Sequence, residues 1–130
     1  MFNFNIVLAD DRSLFDSAFR LWLEQLEEFQ LIDVVKRASL LLQRIELLQP
    51  EILLLNWELP DLQLIQDKVR LIIKLKQRFP KMHIIVLSSR VALEQYLPMS
   101  VGYIFVSKSE PPETLKNALL SFYSTERQRK

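Results

Sequence analysis

Four polar positions, each closing a short apolar run, could do chemistry together if the fold brought them to one edge. Asp10 and Asp11 follow Asn5–Ala9, Asn56 follows Ile52–Leu55, Ser88 follows Ile84–Leu87, and Ser107-Lys108 follows Tyr103–Val106. Two carboxylates, an amide, a hydroxyl and an ammonium would then converge. One polar run end means little. Four of complementary charge and hydrogen-bonding type, in 130 residues, point to a shared pocket.

Composition removes most other chemistries. Zero cysteines exclude thiol catalysis, disulfides and thiolate metal sites. The single histidine, His83, excludes a multi-histidine metal centre, and its place opening an apolar run, away from the four polar ends, fits a structural or surface role. The single glycine, Gly102, excludes a P-loop, a dinucleotide fingerprint and a nucleophile elbow, all of which need several. Lys and Arg number 17 against 16 Asp and Glu, giving a net charge of +1 and no sign of a nucleic-acid face. Met1–Asn5 has no basic stretch ahead of an apolar one, and no apolar run approaches the roughly 18 residues of a spanning helix. The expected location is cytoplasmic, without membrane contact.

The elements that must position the four ends are legible in the periodicity. Five runs have strand length: Asn5–Ala9, Leu31–Val35, Ile52–Leu55, Ile84–Leu87 and Tyr103–Val106. Several are apolar almost without alternation, as strands buried on both faces are. Helical spacing lies between them. It runs over about Leu14–Glu28 with Ser13 as cap, and over about Leu40–Gln49 with Ser39 as cap and Pro50 as stop. It recurs over about Leu64–Phe79 with Ile65, Val69, Ile72 and Ile73 on one stripe, and over a short stretch near Val91–Leu97. The last helix runs from Pro111-Pro112 to about Tyr123, with Leu115, Ala118, Leu119 and Phe122 inward. Strand and helix alternate five times, which predicts an α/β fold: one five-stranded, doubly wound parallel sheet with helices on both faces. Residues 1–123 form the domain, and residues 124–130 read as a basic tail or the start of a linker.

Across Asn5 to about Tyr123 the chain resembles the receiver domains of bacterial two-component response regulators, which share a flavodoxin-like (βα)5 fold. The segments that carry the resemblance are Ile6-Val7-Leu8-Ala9-Asp10-Asp11, Ile52 through Pro60, Ile85-Val86-Leu87-Ser88-Ser89 and Val106-Ser107-Lys108. The resemblance implies an acidic, Mg²⁺-binding pocket at Asp10 and Asp11. It implies a phosphoryl-binding hydroxyl at Ser88 and a phosphoryl-binding ammonium at Lys108. It puts the aromatic switch residue at Phe105, with Tyr103 as a second candidate.

Asn56 is the decisive departure, because it stands where the family carries its phosphoacceptor aspartate. An amide nitrogen is not nucleophilic, so covalent catalysis by a carboxylate cannot occur there. Asp10, Asp11 and Lys108 leave the pocket a formal charge of −1. With one anionic ligand missing, no cofactor is expected beyond weak Mg²⁺ at Asp10 and Asp11. Lys108 is expected to pair with those two aspartates. The expected function is an atypical, non-enzymatic receiver that signals by contact without phosphorylation. Its partners would be a second copy, a histidine kinase or another regulator, met through the fourth helix, fifth strand and fifth helix with Tyr96, Tyr103 and Phe105. The alternatives are phosphotransfer through another acceptor such as Glu58, or a regulatory domain of a longer transcription regulator.

Overall fold

Alternation along each strand decides the architecture. In β1 (Phe4–Ala9), Ile6 and Leu8 point to one side and Val7 and Ala9 to the other, and all four are fully buried. The same division runs through β3 (Ile52–Asn56) and β4 (His83–Ser88). A strand apolar on both faces can be satisfied only by covering both faces. In the computed structural model, which describes residues 4–89 and 102–128, helices do so.

The remaining elements are α1 (Ser13–Leu23), β2 (Phe29–Val35), α2 (Leu41–Leu48), α3 (Ile65–Arg78), β5 (Tyr103–Ser107) and α4 (Pro112–Gln128). The sheet order is β2-β1-β3-β4-β5, all parallel. This is the expected doubly wound five-stranded sheet. Val7, Leu53, Leu55, Ile84 and Val86 build one core with Leu41 and Ile45 of α2 and Ile72 and Leu75 of α3. Ile6, Leu8, Leu54, Ile85 and Leu87 build the other with Phe19 and Leu23 of α1 and Leu119 of α4. The short helix expected near Val91–Leu97, Tyr96 included, lies outside the described residues. No helix among the described residues is long and apolar enough to cross a membrane.

Several boundaries differ from expectation. α1 stops at Leu23, and β2 begins at Phe29 rather than Leu31. A hydrogen-bonded turn at 24–26 ends the helix early, and Phe29 is drawn into the core beside Phe4, with ring centroids 6.2 Å apart. Arg12, not Ser13, occupies the N-cap position of α1, and its side chain makes no cap bond to the helix. On α3 the buried line is Ile72 and Leu75, with Val69 packed against it. Ile73, 37% exposed, sits about 100° around the helix from Ile72, whereas Ile65, 38% exposed, is on the buried side but is the first residue of the helix. α4 continues past Tyr123 to Gln128, since no Gly or Pro follows Tyr123 to stop it. α2 does end as predicted: Gln49 adopts a left-handed φ of 48° and Pro50 follows.

The start of α2 is capped from outside. A 3₁₀ turn at Ala38–Leu40 leads into it, and Leu40 rather than Ser39 holds the N-cap position, without a side-chain cap bond. Instead Asp61, in the loop after β3, accepts the backbone N–H of Ala38 at 2.9 Å and of Ser39 at 3.1 Å. Burial acts to raise the Asp61 pKa, but these backbone donors outweigh it and hold the carboxyl below its usual value. The contact ties the loop after β3 to the α2 layer. Asp61→Ala should cost about 0.5–1 kcal/mol, at the low end for a lost cap because Asp61 is exposed. Urea denaturation of the two proteins measures it.

Candidate functional site

In a parallel sheet every strand ends at the same edge, so Asp10, Asn56, Ser88 and Lys108 are gathered there by topology alone. The backbone pairing carries on past the strands. Asp10 N donates to Val35 O at 3.1 Å, Trp57 N to Leu87 O at 2.9 Å and Lys108 N to Ser88 O at 2.9 Å. The three segments that bear the polar groups are therefore held by ladder-like bonds. Asp10 and Ser88 are fully buried, and Asn56 is 2% exposed.

Lys108 does not pair with the aspartates. Its Nζ donates to Asn56 Oδ1 at 2.7 Å and to Glu58 Oε1 at 2.9 Å. Glu58 is the residue that sequence reasoning weighed only as an alternative acceptor. Its carboxylate also accepts the Ser88 hydroxyl on Oε2 at 2.8 Å, and the Ser89 N–H and hydroxyl on Oε1 at 3.3 and 3.2 Å. Glu58 N donates back to Asn56 Oδ1 at 3.1 Å. Burial works to raise the Glu58 pKa. The bonds from Lys108, Ser88 and Ser89 N, with the Lys108 charge, overcome it and hold the carboxyl below its usual range.

The expected pairing fails because Asp10 is already taken. Arg12 N donates to Asp10 Oδ1 at 2.8 Å, Arg12 Nε to the same oxygen at 3.2 Å and an Arg12 terminal nitrogen to Oδ2 at 3.1 Å. The bond to Asp10 raises the Arg12 pKa, partly offset by burial and assisted by the charges of Asp10, Asp11 and Glu58. Asp11 is exposed. A metal ion of the Mg²⁺ class would look to Asp10, Asp11 and Asn56 Oδ1. Both oxygens of Asp10 face Arg12, and Asn56 Oδ1 accepts Lys108, so the arranged donors do not fit that ion. No cluster of three or more His, Cys, Asp or Glu suited to a metal occurs among the described residues.

Other candidates fall into place around this pocket. Tyr103 is 4% exposed within the core on the α2–α3 side, so it offers no ring to a partner, contrary to expectation. It is drawn in because it shares a sheet face with Phe105, two residues on, which packs partly buried against the same core. His83 stacks on Phe122 with ring centroids 4.1 Å apart, a structural contact, as its position suggested. Trp57 is 5% exposed and lies in the core behind the pocket. Sequence reasoning did not single out Arg12 or place Glu58 in the pocket. The signal for both is spacing: each lies two residues beyond a pocket Asp or Asn whose side-chain oxygen accepts its backbone N–H, the turn those two residue types favour.

Among solved structures, the isolated REC domain of RcsB from Salmonella enterica serovar Typhimurium, determined in the presence of phosphomimetic BeF3−, matches with a TM-score of 0.81. It is 25% identical, and the match covers 94% of this chain and 89% of that one. RcsB bound to promoter rprA matches at 0.78 and 25% identity, over 91% of this chain and 66% of that one. A LuxR-family two-component response regulator from an Aurantimonas species matches at 0.80 over 95% and 86%, but at 17% identity it bears on the fold alone. The chain spans under two thirds of several RcsB chains, 62% in one case. No family model matches the chain, and no curated protein does. The fold is thus that of a receiver domain, and the structural neighbours are signal-transducing response regulators.

The Lys108–Glu58 pair generates a stability prediction. Lys108→Met should cost about 1–2 kcal/mol at neutral pH, because it leaves a partly buried carboxylate without its cation. A carboxyl with a depressed folded pKa contributes stability above its unfolded pKa of about 4.3 and loses it as pH falls through the lower folded value. The gap between the native protein and Lys108→Met should therefore close below about pH 4. Urea midpoints measured from neutral to acid pH test this.

Proposed function

We propose that this chain is an atypical receiver that transmits a signal by protein contact, without phosphorylation and without a bound metal. The observation that carries the proposal is Asn56. It stands at the end of the central strand, where the resembling family attacks its phosphodonor, and its Oδ1 accepts bonds from Lys108 and Glu58 N. An amide there can be held but cannot attack. The neighbouring groups that would serve a phosphoryl group or a cation are engaged with Glu58 and Arg12.

Phosphotransfer through Glu58 is disfavoured by the same contacts. A carboxylate accepting from Ser88, Ser89 and Lys108 is turned toward those donors, and reorienting it toward a phosphodonor would break bonds among them. In-line attack tolerates little displacement. The chain is accordingly proposed to be no enzyme. For partners, the proposal names a second copy, a histidine kinase or another regulator, through the face that includes β5 and α4. RcsB has been seen as dimers bound to DNA. For this chain, whose charge is nearly balanced, no nucleic-acid contact is proposed.

Incubation with a small phosphodonor such as acetyl phosphate and Mg²⁺ should leave the intact mass of the native protein unchanged. Gain of one phosphoryl group, wherever peptide mapping puts it, would end the proposal. Mg²⁺ alone should leave the thermal midpoint of the native protein where it was, and a saturable rise would refute metal independence.

A further inference from the structure

Four donor groups converge on one carboxylate at the sheet edge. The hydroxyls of Ser88 and Ser89, the N–H of Ser89 and the Nζ of Lys108 all lie 2.8–3.3 Å from the oxygens of Glu58. They come from the ends of two neighbouring strands, and their backbones are joined by the Lys108 N to Ser88 O bond. A hydroxyl, a main-chain N–H and an ammonium aimed at one point make an oxyanion site by their chemistry alone. What distinguishes this one is that its occupant is a side chain of the same protein.

The occupant is held in place from both sides. Trp57 and Leu59, which flank Glu58, are 5% and 1% exposed in the core, so the backbone that presents the carboxylate is anchored. Glu58 N is bonded to Asn56 Oδ1, and Trp57 O accepts from Lys68 Nζ at 2.6 Å. A ligand tethered in this way acts at a high effective concentration, and little ordering remains to be done when it binds. A free anion must displace it and also leave its charge without Lys108.

We propose that Glu58 is the resident ligand of an oxyanion site formed by Ser88, Ser89 and Lys108, holding the ends of β4 and β5 together and shutting out free phosphate-class anions. The inference rests on the phosphorylation-independent function proposed above and gives it a cause: the site is filled permanently. Glu58 is a positioning residue here and performs no reaction. Two charged stand-ins then complete the pocket, Glu58 on the anion side and Arg12 against Asp10 on the cation side.

Inorganic phosphate is the probe, with chloride at matched ionic strength as reference. The thermal midpoint of the full native chain should be the same in both. Glu58→Ala should melt lower than the native chain in chloride, and phosphate should raise its midpoint saturably. At about ten times its Kd the rise should be roughly 5 °C. Glu58→Ala combined with Lys108→Ala should lose that rise. Glu58→Ser, a smaller polar change, repeats the test if the alanine variant does not fold. A phosphate response in the native chain equal to that of the variants would overturn the proposal, as would no phosphate response in either variant. Because this is equilibrium binding, it fails separately from the phosphodonor experiment. A native chain that takes up a phosphoryl group loses the functional proposal but not the occupancy of the site by Glu58.

Discussion

The pocket depends on one ammonium placed between two oxygens. Lys108 Nζ sits 2.7 Å from Asn56 Oδ1 and 2.9 Å from Glu58 Oε1, and so joins the end of β5 to the end of β3. Through Glu58 the same contact reaches Ser88 and Ser89 at the end of β4. Three adjacent strands are thus tied at their polar edge by side chains as well as by the ladder. The arrangement works because it lies at the edge of a dry core. Asn56 and Ser88 are almost wholly buried while Lys108 and Glu58 keep some water, with side chains 20% and 31% exposed. Ions buried completely would lose more in desolvation than they regain from each other, and fully exposed ones would gain little.

The core and the pocket are parts of one construction. Strands apolar on both faces force helices onto both faces, and the parallel direction this requires puts every strand end on one side. The residues that anchor the pocket loop are themselves core residues. Trp57 and Leu59 sit among Leu55, Leu75 and Val86, and Asp61 reaches across to the start of α2. Glu58 is exposed enough to be charged and is carried by backbone too well anchored to wander. Gly102, the only glycine in the chain, opens β5 from a φ of 103°, with Lys76 Cε 3.1 Å from where a Cβ would stand. That turn favours glycine on both backbone and steric grounds.

How much of this was legible in the sequence follows from what each signal depends on. The five parallel strands and the two-sided core depend on periodicity and alternation, which are local, and they emerged as expected. The convergence of Asp10, Asn56, Ser88 and Lys108 depends only on topology, and it too could be read. The pairing inside the pocket could not, because it depends on which of several charged side chains reaches a given oxygen first. Lys108 was expected on the aspartates, but Arg12 is only two residues from Asp10 and closes on it through a tight local geometry. The α2 cap failed for a similar reason. Ser39 is the residue a local rule selects, and Asp61, 22 positions away, is the one that bonds. Such non-local competition leaves no periodic trace.

Asparagine at position 56 fits this pocket for a reason beyond the loss of a nucleophile. Its Oδ1 accepts the same Lys108 and Glu58 N bonds that a carboxylate oxygen would accept, so the hydrogen-bonding geometry survives the exchange. What disappears is a charge. With aspartate there, two carboxylate oxygens would share a single ammonium. Unit charges about 4 Å apart near a protein surface repel by about 4 kcal/mol. One of the two would have to leave Lys108 or take up a proton. The neutral amide removes that conflict and lets Glu58 keep Lys108 and Ser88 together. On the other side, Arg12 answers Asp10, so adding Arg12 and Glu58 to the pocket leaves its net charge unchanged. Asn56, Glu58 and Arg12 are therefore one electrostatic solution. Changing any one of them alone would expose a conflict that the other two now conceal.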